Sequence, residues 1–463
     1  MTDSDSPAQA VRPLGRVLVF GASGYVGRHL VARLAARGIP VRAAARRAAT
    51  MAAENWGDGV EIVRADALDP RSLPRAMEGI DTAFYLVHSM ASGRGFPALD
   101  LEAAGHFAEA AAAAGVGRIV YLGGLVPADA ESPHLLSRRA TGERLREGPV
   151  PVVELRAGII VGPGSAAFEV MRDLVAHLPI MVTPRWVRSA SPPIALDDLL
   201  FYLEGLATAA QDAVEGKVFD SGGPETLSYE TMMRRMAPLL GRRVPMIVPA
   251  PVLTPELSAY WLRFVTSTPA NVATALVMGL RHDILADDAA LRALLPRERM
   301  DFETAVRAVL RDEAALTVGD RWREGALALR RGRHDVSFYG KRHTVEAVAE
   351  APPLAVWDAL QGVFPAGGPI RELAAVAGRR LVQIADWPEP GASGIEIEIE
   401  AHDGGSRIAA TLHFQPLGFY GLLWWYGTYP LRRLVLQRRL ARVVRAAEGN
   451  AQNISRSASG SVG

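Results

Sequence analysis

Directly after the apolar run Arg16-Val-Leu-Val-Phe20 stands Gly21-Ala-Ser23-Gly24-Tyr25-Val26-Gly27. Glycines three apart between a strand and a helix suit the binding of a pyrophosphate. The first permits a tight turn, and the second lets backbone N–H groups approach an anion. The third lets the helix pack closely on the sheet, with its N-terminus aimed at the phosphates. A dinucleotide is the expected ligand, held by Gly21, Ser23, Gly24, Tyr25, Val26 and Gly27. An NAD site usually carries a carboxylate at the end of the second strand, which accepts from the ribose 2′-hydroxyl. Here that strand ends Ala43-Ala-Ala-Arg46-Arg47. Two guanidinium groups suit a 2′-phosphate instead, so NADP(H) is the expected cofactor and NAD(H) the alternative.

Composition removes other chemistries. There is no cysteine, which excludes disulfides, thiolate metal sites and cysteine nucleophiles. Of 51 basic residues only Lys217 and Lys341 are lysines, so no lysine chemistry is available before position 217. There is no P-loop lysine and no His-Glu-x-x-His pair, and the scattered histidines form no metal-ligand cluster. Gly162-Pro-Gly-Ser165 lacks the Gly-x-Ser-x-Gly elbow of a serine hydrolase. A net charge of +1 gives no electrostatic reason to expect nucleic acid.

The elements that must position the loop alternate at short spacing. Strands are predicted at 16–20, 41–45, 61–65, 82–87, 118–122 and 152–161, with helices between, including an alanine-rich one over 99–114. That is the pattern of an α/β, doubly wound parallel Rossmann-type sheet. With 463 residues the chain should hold two or three domains. Residues 1–13 read as a disordered start without signal-peptide character, and 14–330 as the nucleotide-binding domain. Prolines from Pro179 onward mark a small substrate lobe, mainly 179–330. From 334 to 449 a strand, a short helix, alternating runs at Ile395–Ala401 and Arg407–Phe414 and a long helix Leu431–Ala447 predict an α+β helix-grip domain of the START/SRPBCC kind. The Ile/Glu alternation is a half-exposed sheet face rather than a carboxylate site. Residues 450–463 read as a disordered tail. No run of about 18 apolar residues is present, and the expected location is cytoplasmic.

The chain resembles the extended and atypical short-chain dehydrogenase/reductase (SDR) family over about residues 14–310. The resemblance rests on the glycine loop, Ala65-Asp66-Ala67-Leu-Asp-Pro70, Tyr85-Leu-Val87-His88, Arg118-Ile-Val-Tyr-Leu-Gly123-Gly124, Pro193-Ile-Ala-Leu-Asp-Asp198 and Gly222-Gly-Pro-Glu-Thr-Leu-Ser-Tyr229. It implies that Asp66 and Ala67 meet the adenine, Val87 and His88 line its ribose, and Gly123 ends strand five beside the cofactor. Such enzymes generally use a Tyr-x-x-x-Lys pair and a strand-five serine. This chain has glycines at the strand end and His134-Leu-Leu-Ser-Arg138 in the equivalent segment. His134 is then the candidate proton donor, and Arg138 the candidate holder of the ribose hydroxyls. The activity implied is an oxidoreductase acting on an apolar carbonyl or enone. The alternative is a non-catalytic redox sensor or scaffold, as in NmrA-like regulators of similar fold.

Segments around Tyr121, Ser132 and Leu155–Met171 resemble a bacterial atypical SDR subgroup with an uncharacterised C-terminal domain, as does His413–Tyr426. Trp424, Trp425 and Tyr426 are expected in the core or a domain contact. The helix after them puts Leu436, Leu440, Val443 and Val444 on one face and Arg438, Arg442 and Arg445 opposite. That face is either solvated or a peripheral contact with an anionic membrane.

Overall fold

The computed structural model describes residues 12–46, 51, 56–88, 96–127, 132–183, 185–249, 265–266, 283–315, 341–402 and 404–459. Two compact units emerge. The first comprises 1–171, 180–263 and 269–309; the second comprises 172–179, 264–268 and 310–463. The second therefore takes in two short stretches, 172–179 and 264–268, that the sequence places in the first domain and its lobe.

The first unit is built on seven parallel strands. In chain order these are β1 (Val17–Phe20), β2 (Val41–Ala45), β3 (Val60–Arg64), β4 (Thr82–Tyr85), β5 (Arg118–Gly124), β6 (Val152–Ala157) and β7 (Val218–Ser221). Their order across the sheet is β7-β6-β5-β4-β1-β2-β3. Every residue of β1, β2 and β4 is buried, as parallel strands covered on both faces require. Helix α1 (Tyr25–Ala36) buries Gly27, Leu30, Val31 and Leu34 on one stripe. It packs there with α4 (Leu196–Thr208), whose Leu199, Leu203 and Leu206 join the same core. On the other face α2 (Phe96–Ala113) contributes Ala103, Ala104 and Phe107 to a second core with Leu18, Phe20 and Tyr85. Helix α3 (Pro133–Arg146) follows β5. The strand order reverses between β1 and β4, and ligands of such sheets bind in the crevice at the strand C-termini there.

The single strand expected over 152–161 is two, because Gly158 and Ile159 separate β6 from Ile160–Val161. In the lobe, Ile180–Thr183 pairs with Met246–Pro249 and Leu227–Ser228 with Ala190–Ser191.

The second unit holds β8 (Lys341–Ala349), α5 (Pro353–Val363), β9 (Ile370–Val376), β10 (Arg380–Ala385), β11 (Gly391–His402), β12 (Gly405–Pro416) and α6 (Gly418–Ser459). The five strands form an antiparallel sheet in the order β8-β12-β11-β10-β9. The inward side chains Leu381, Ile397, Ile399, Ile408 and Ala410 pack on Val356 and Leu360 of α5 and on Leu436, Leu440 and Val443 of α6. Glu398 and Glu400 face out, as the alternation predicts, while Glu396 is drawn into pairs with Arg380 and His413.

Two expectations fail in α6. The helix begins at Gly418 rather than Leu431, so the aromatic run lies inside it. It also continues to Ser459, so 450–459 is helical rather than irregular; 460–463 lie outside the described residues. Among Trp424, Trp425 and Tyr426 only Trp425 is core, stacked on Phe414 at 5.4 Å; the other two are exposed.

Candidate functional site

The glycine loop is latched to the sheet by Gly21 N–H and Ala22 N–H, which donate to Ala44 O. Gly21 has φ +92°, and a side chain there would press on the Leu86 carbonyl and Val87. At Gly27 a Cβ would sit 2.3 Å from Gly21 O, so only glycine lets α1 start this close to the loop. The α1 N-cap, Gly24, has no side chain to accept from the first-turn N–H groups, and Ser23 and Gly24 are exposed. Bare amide donors at a helix N-terminus fit a pyrophosphate. Tyr25 and Val26 open the helix, and the Tyr25 hydroxyl lies against Gly162.

The adjoining strand ends place the other expected residues. Arg46 is exposed directly after β2, and Arg47 lies outside the described residues. Asp66 follows β3, its Oδ1 accepting from Leu68 N–H at 3.1 Å; Ala67 beside it is buried, its carbonyl 2.9 Å from His106 Nδ1. Gly123 is buried over Glu154: a Cβ there would lie 2.7 Å from Glu154 Oε1, so its glycine identity answers to that carboxylate. Arg138 donates to Leu122 O at 3.1 Å and passes against Gly124.

Val87, which touches the glycine loop, leads into His88. His88 Nδ1 is 3.0 Å from Asp100 Oδ2, and His88 Nε2 is 3.0 Å from His134 Nδ1. Ser137 Oγ donates to the same Asp100 oxygen at 2.9 Å. Helix α2 supplies Asp100, and the first turn of α3 supplies His134, with Ser137 and Arg138 one turn later. Burial, helped by the Arg138 cation, pushes His88 down to about 4 and His134 to about 2, the latter also through His88. Both rings are neutral at pH 7. Tyr121, the nearest strand-five phenol, is spent: its hydroxyl donates to Arg138 O at 3.0 Å, and burial raises its pKa.

Sequence reading placed His88 on a ribose and His134 with Arg138. It did not join the two histidines, and it missed Asp100 and Ser137. The signal was present. Asp100, Ala103, Ala104, Phe107 and Ala111 recur at helical spacing, so Asp100 is a carboxylate on the buried stripe of α2.

A family model described as NAD(P)H-binding matches residues 21–147. A (4-alkanoyl-5-oxo-2,5-dihydrofuran-3-yl)methyl phosphate reductase from Streptomyces griseus is 28% identical over 235 residues, 49% of this chain and 74% of that protein. A ceramide reductase from Caulobacter vibrioides is 32% identical over 172 residues, which span 36% of this chain and about half, 53%, of the relative. Among solved structures, triphenylmethane reductase from a Citrobacter species, complexed with NADP(H), superposes with a TM-score of 0.51 at 19% identity. That likeness covers 64% of this chain and 99% of the reductase. It shows the fold, and the loop geometry, the family model and the two curated relatives agree with it. The N-terminal unit thus carries an NAD(P)H-binding domain over residues 21–147 and shares the fold of the NADP(H)-complexed reductase.

Proposed function

We propose that the N-terminal unit reduces the carbonyl or conjugated double bond of an apolar substrate, with NADPH as the preferred cofactor and His134 as the proton donor. The observation that carries this is the hydrogen-bonded chain Asp100–His88–His134 at the strand ends beside the glycine loop. The relatives' names support a carbonyl or enone compound with an acyl chain: one substrate is an alkanoyl oxo-dihydrofuran methyl phosphate and the other a ceramide. Exposed Arg46 after β2, where an NAD site would carry a carboxylate, supports the 2′-phosphate.

Bound on the loop, NADPH supplies the hydride; the protein's own residues manage the proton. With Asp100 ionised, its Oδ2 accepts from Ser137 and from His88 Nδ1–H. His88 Nε2 must then accept from His134 Nδ1–H, which leaves a lone pair on His134 Nε2. That state takes a proton from an alcohol. Reduction runs the same chain in reverse. Once Asp100 has taken up a proton from solvent, His134 Nε2–H protonates the substrate oxygen, His134 Nδ1 takes the proton of His88 Nε2–H, and His88 Nδ1 takes the proton of Asp100. Each ring gains and loses one proton, so no imidazolium forms, in keeping with the depressed pKa of both histidines. Arg138 holds the edge of the site and disfavours charge on either ring.

The same neutral rings favour one second reading, an NADP(H)-binding regulator that has no standing proton donor. NADPH turnover on aldehydes, ketones, enones and quinones, measured beside NADPH binding, decides between them. Turnover abolished by His134→Gln supports the reductase. Tight NADPH binding without turnover, unchanged by His134→Ala, supports the regulator. The element order of the second unit supports a helix-grip assignment, with an apolar ligand between sheet and long helix as its use.

A further inference from the structure

Helix α6 does two different things on its two sides. Leu422, Trp425, Leu436, Leu440 and Val443 are buried. At about 100° per residue these share one face. The opposite face begins as an apolar stripe: Phe419, Tyr420, Leu423, Trp424, Leu431 and Val435 are each between 43% and 78% exposed. Side chains of this size at such exposure, over about 24 Å of helix, are far more than the scattered exposed apolar residues of an ordinary surface. A shallow depression of about 450 Å³, lined by Pro390, Tyr420, Leu423, Trp424, Gly427 and Thr428, opens on the same stripe. Further along, the outward face changes character. Arg438, Arg442 and Arg445 continue the line of the apolar stripe and are exposed. Between Gly418 and Ala447 the sequence has six arginines and no acidic residue. A carboxylate that touches the stripe, Glu389, accepts from Trp424 Nε1 and is neutralised by Arg432 at 2.5 Å.

We propose that this face of α6 docks the protein on an anionic bilayer surface. Tyrosine and tryptophan favour the headgroup boundary, leucine and phenylalanine the acyl edge, and arginine the phosphates. Each is present, in that spatial order along one face. No helix among the described residues is long and apolar enough to cross a membrane, so the contact is peripheral. A second copy is a poorer occupant. A two-fold contact on this face sets its arginines against a partner face that carries the same residues and offers them no carboxylate. Anionic headgroups supply that complement. The proposal stands independently of turnover at the N-terminal unit.

The test is co-sedimentation of the full chain with phosphatidylcholine vesicles, with and without phosphatidylglycerol. The expected result is binding to the phosphatidylglycerol vesicles at low salt, weakened by high salt and weak on phosphatidylcholine alone. Arg438→Gln/Arg442→Gln/Arg445→Gln should weaken it on the order of a hundredfold. Leu423→Glu/Leu431→Glu should abolish it. All five positions are exposed, and unchanged NADPH binding and helical circular dichroism confirm that the variants fold. Three results overturn the proposal: no sedimentation with anionic vesicles at low salt, equal binding to neutral vesicles, or a solution dimer that Leu423→Glu/Leu431→Glu dissociates while the wild type ignores vesicles.

Discussion

His88 Nε2 and His134 Nδ1 lie 3.0 Å apart, with ring centroids separated by 4.8 Å. One ring must donate and the other accept. Because Asp100 and Ser137 sit at the far end of the pair, the position of one proton fixes the tautomer of both rings. The outer nitrogen, His134 Nε2, reports the protonation of a carboxylate two residues away in the chain of contacts.

Asp100→Asn therefore tests more than packing. The amide keeps the shape and removes the proton store, so reduction should fall on the order of 10²–10⁴-fold while the NADPH dissociation constant stays unchanged. His134→Gln should fall as far, and the double variant no further, because the groups act as one unit. The pH profile separates this from a lone histidine donor. With His88 held at about 4 and His134 at about 2, a limb in the neutral range belongs to the carboxylate rather than to a ring, and Asp100→Asn should remove it. A limb that survives Asp100→Asn, or additive losses in the double variant, would count against the relay.

Cofactor choice rests on the end of β2. Arg46 is exposed and follows directly on Ala45. Arg46→Ala should weaken NADPH binding on the order of tenfold to a hundredfold, the worth of one charge-assisted pair, and leave NADH binding nearly unchanged. Isothermal titration with both nucleotides reads the difference directly; equal losses for the two would remove the 2′-phosphate role.

His29, on α1, offers a pH test away from the relay. Burial, with Arg28 beside it, pushes its pKa down from 6.5 to about 4. The folded state thus binds fewer protons than the unfolded state between those values. The stability tied to this group is complete above 6.5 and is lost as pH falls towards 4, at up to about 1.4 kcal/mol per pH unit. His29→Phe keeps the edge-to-face contact with Tyr25 and should flatten urea-derived stability against pH by one proton over that window. An unchanged slope would mean that His29 titrates normally.

Much of the first unit was legible because its signals are local. A glycine loop between an all-buried strand and an amphipathic helix has few structural solutions. The same holds for buried runs such as Val17–Phe20. What escaped was set by contacts distant in sequence. Asp100 and His134 lie in different helices and reach the two sides of His88 because β4 and β5 are neighbours, carrying His88 and the approach to α3 side by side. Gly123, expected beside the cofactor, also answers to Glu154, thirty-one residues on and brought near by the β5–β6 pairing, a demand no local pattern reveals. In the second unit, polar and proline-rich surroundings hid the hairpin of β9 and β10. The run from Gly418 carries aromatics on every side, which masked a helix whose buried stripe is only Leu422 and Trp425 until Leu436.

Arg118 makes the final prediction, since it ties the sheet to a helix end. It lies on β5, is 1% exposed, and its Nη1 donates to Leu206 O, Ala207 O and Ala209 O at 3.0, 2.9 and 2.8 Å. Those carbonyls close α4, where the last turn has no amide donors of its own and the helix dipole favours a cation. Burial lowers the pKa of the guanidinium, yet arginine's intrinsic basicity keeps it charged. Arg118→Met fills the volume and strips all three acceptors of their donor, so it should cost about 3–5 kcal/mol. Because a single nitrogen serves the three carbonyls, Arg118→Lys should recover more than half of that loss, with Nζ taking the place of Nη1. Urea unfolding followed by circular dichroism measures both. Equal destabilisation by Met and Lys would show that the fork, rather than the point charge, holds the helix end.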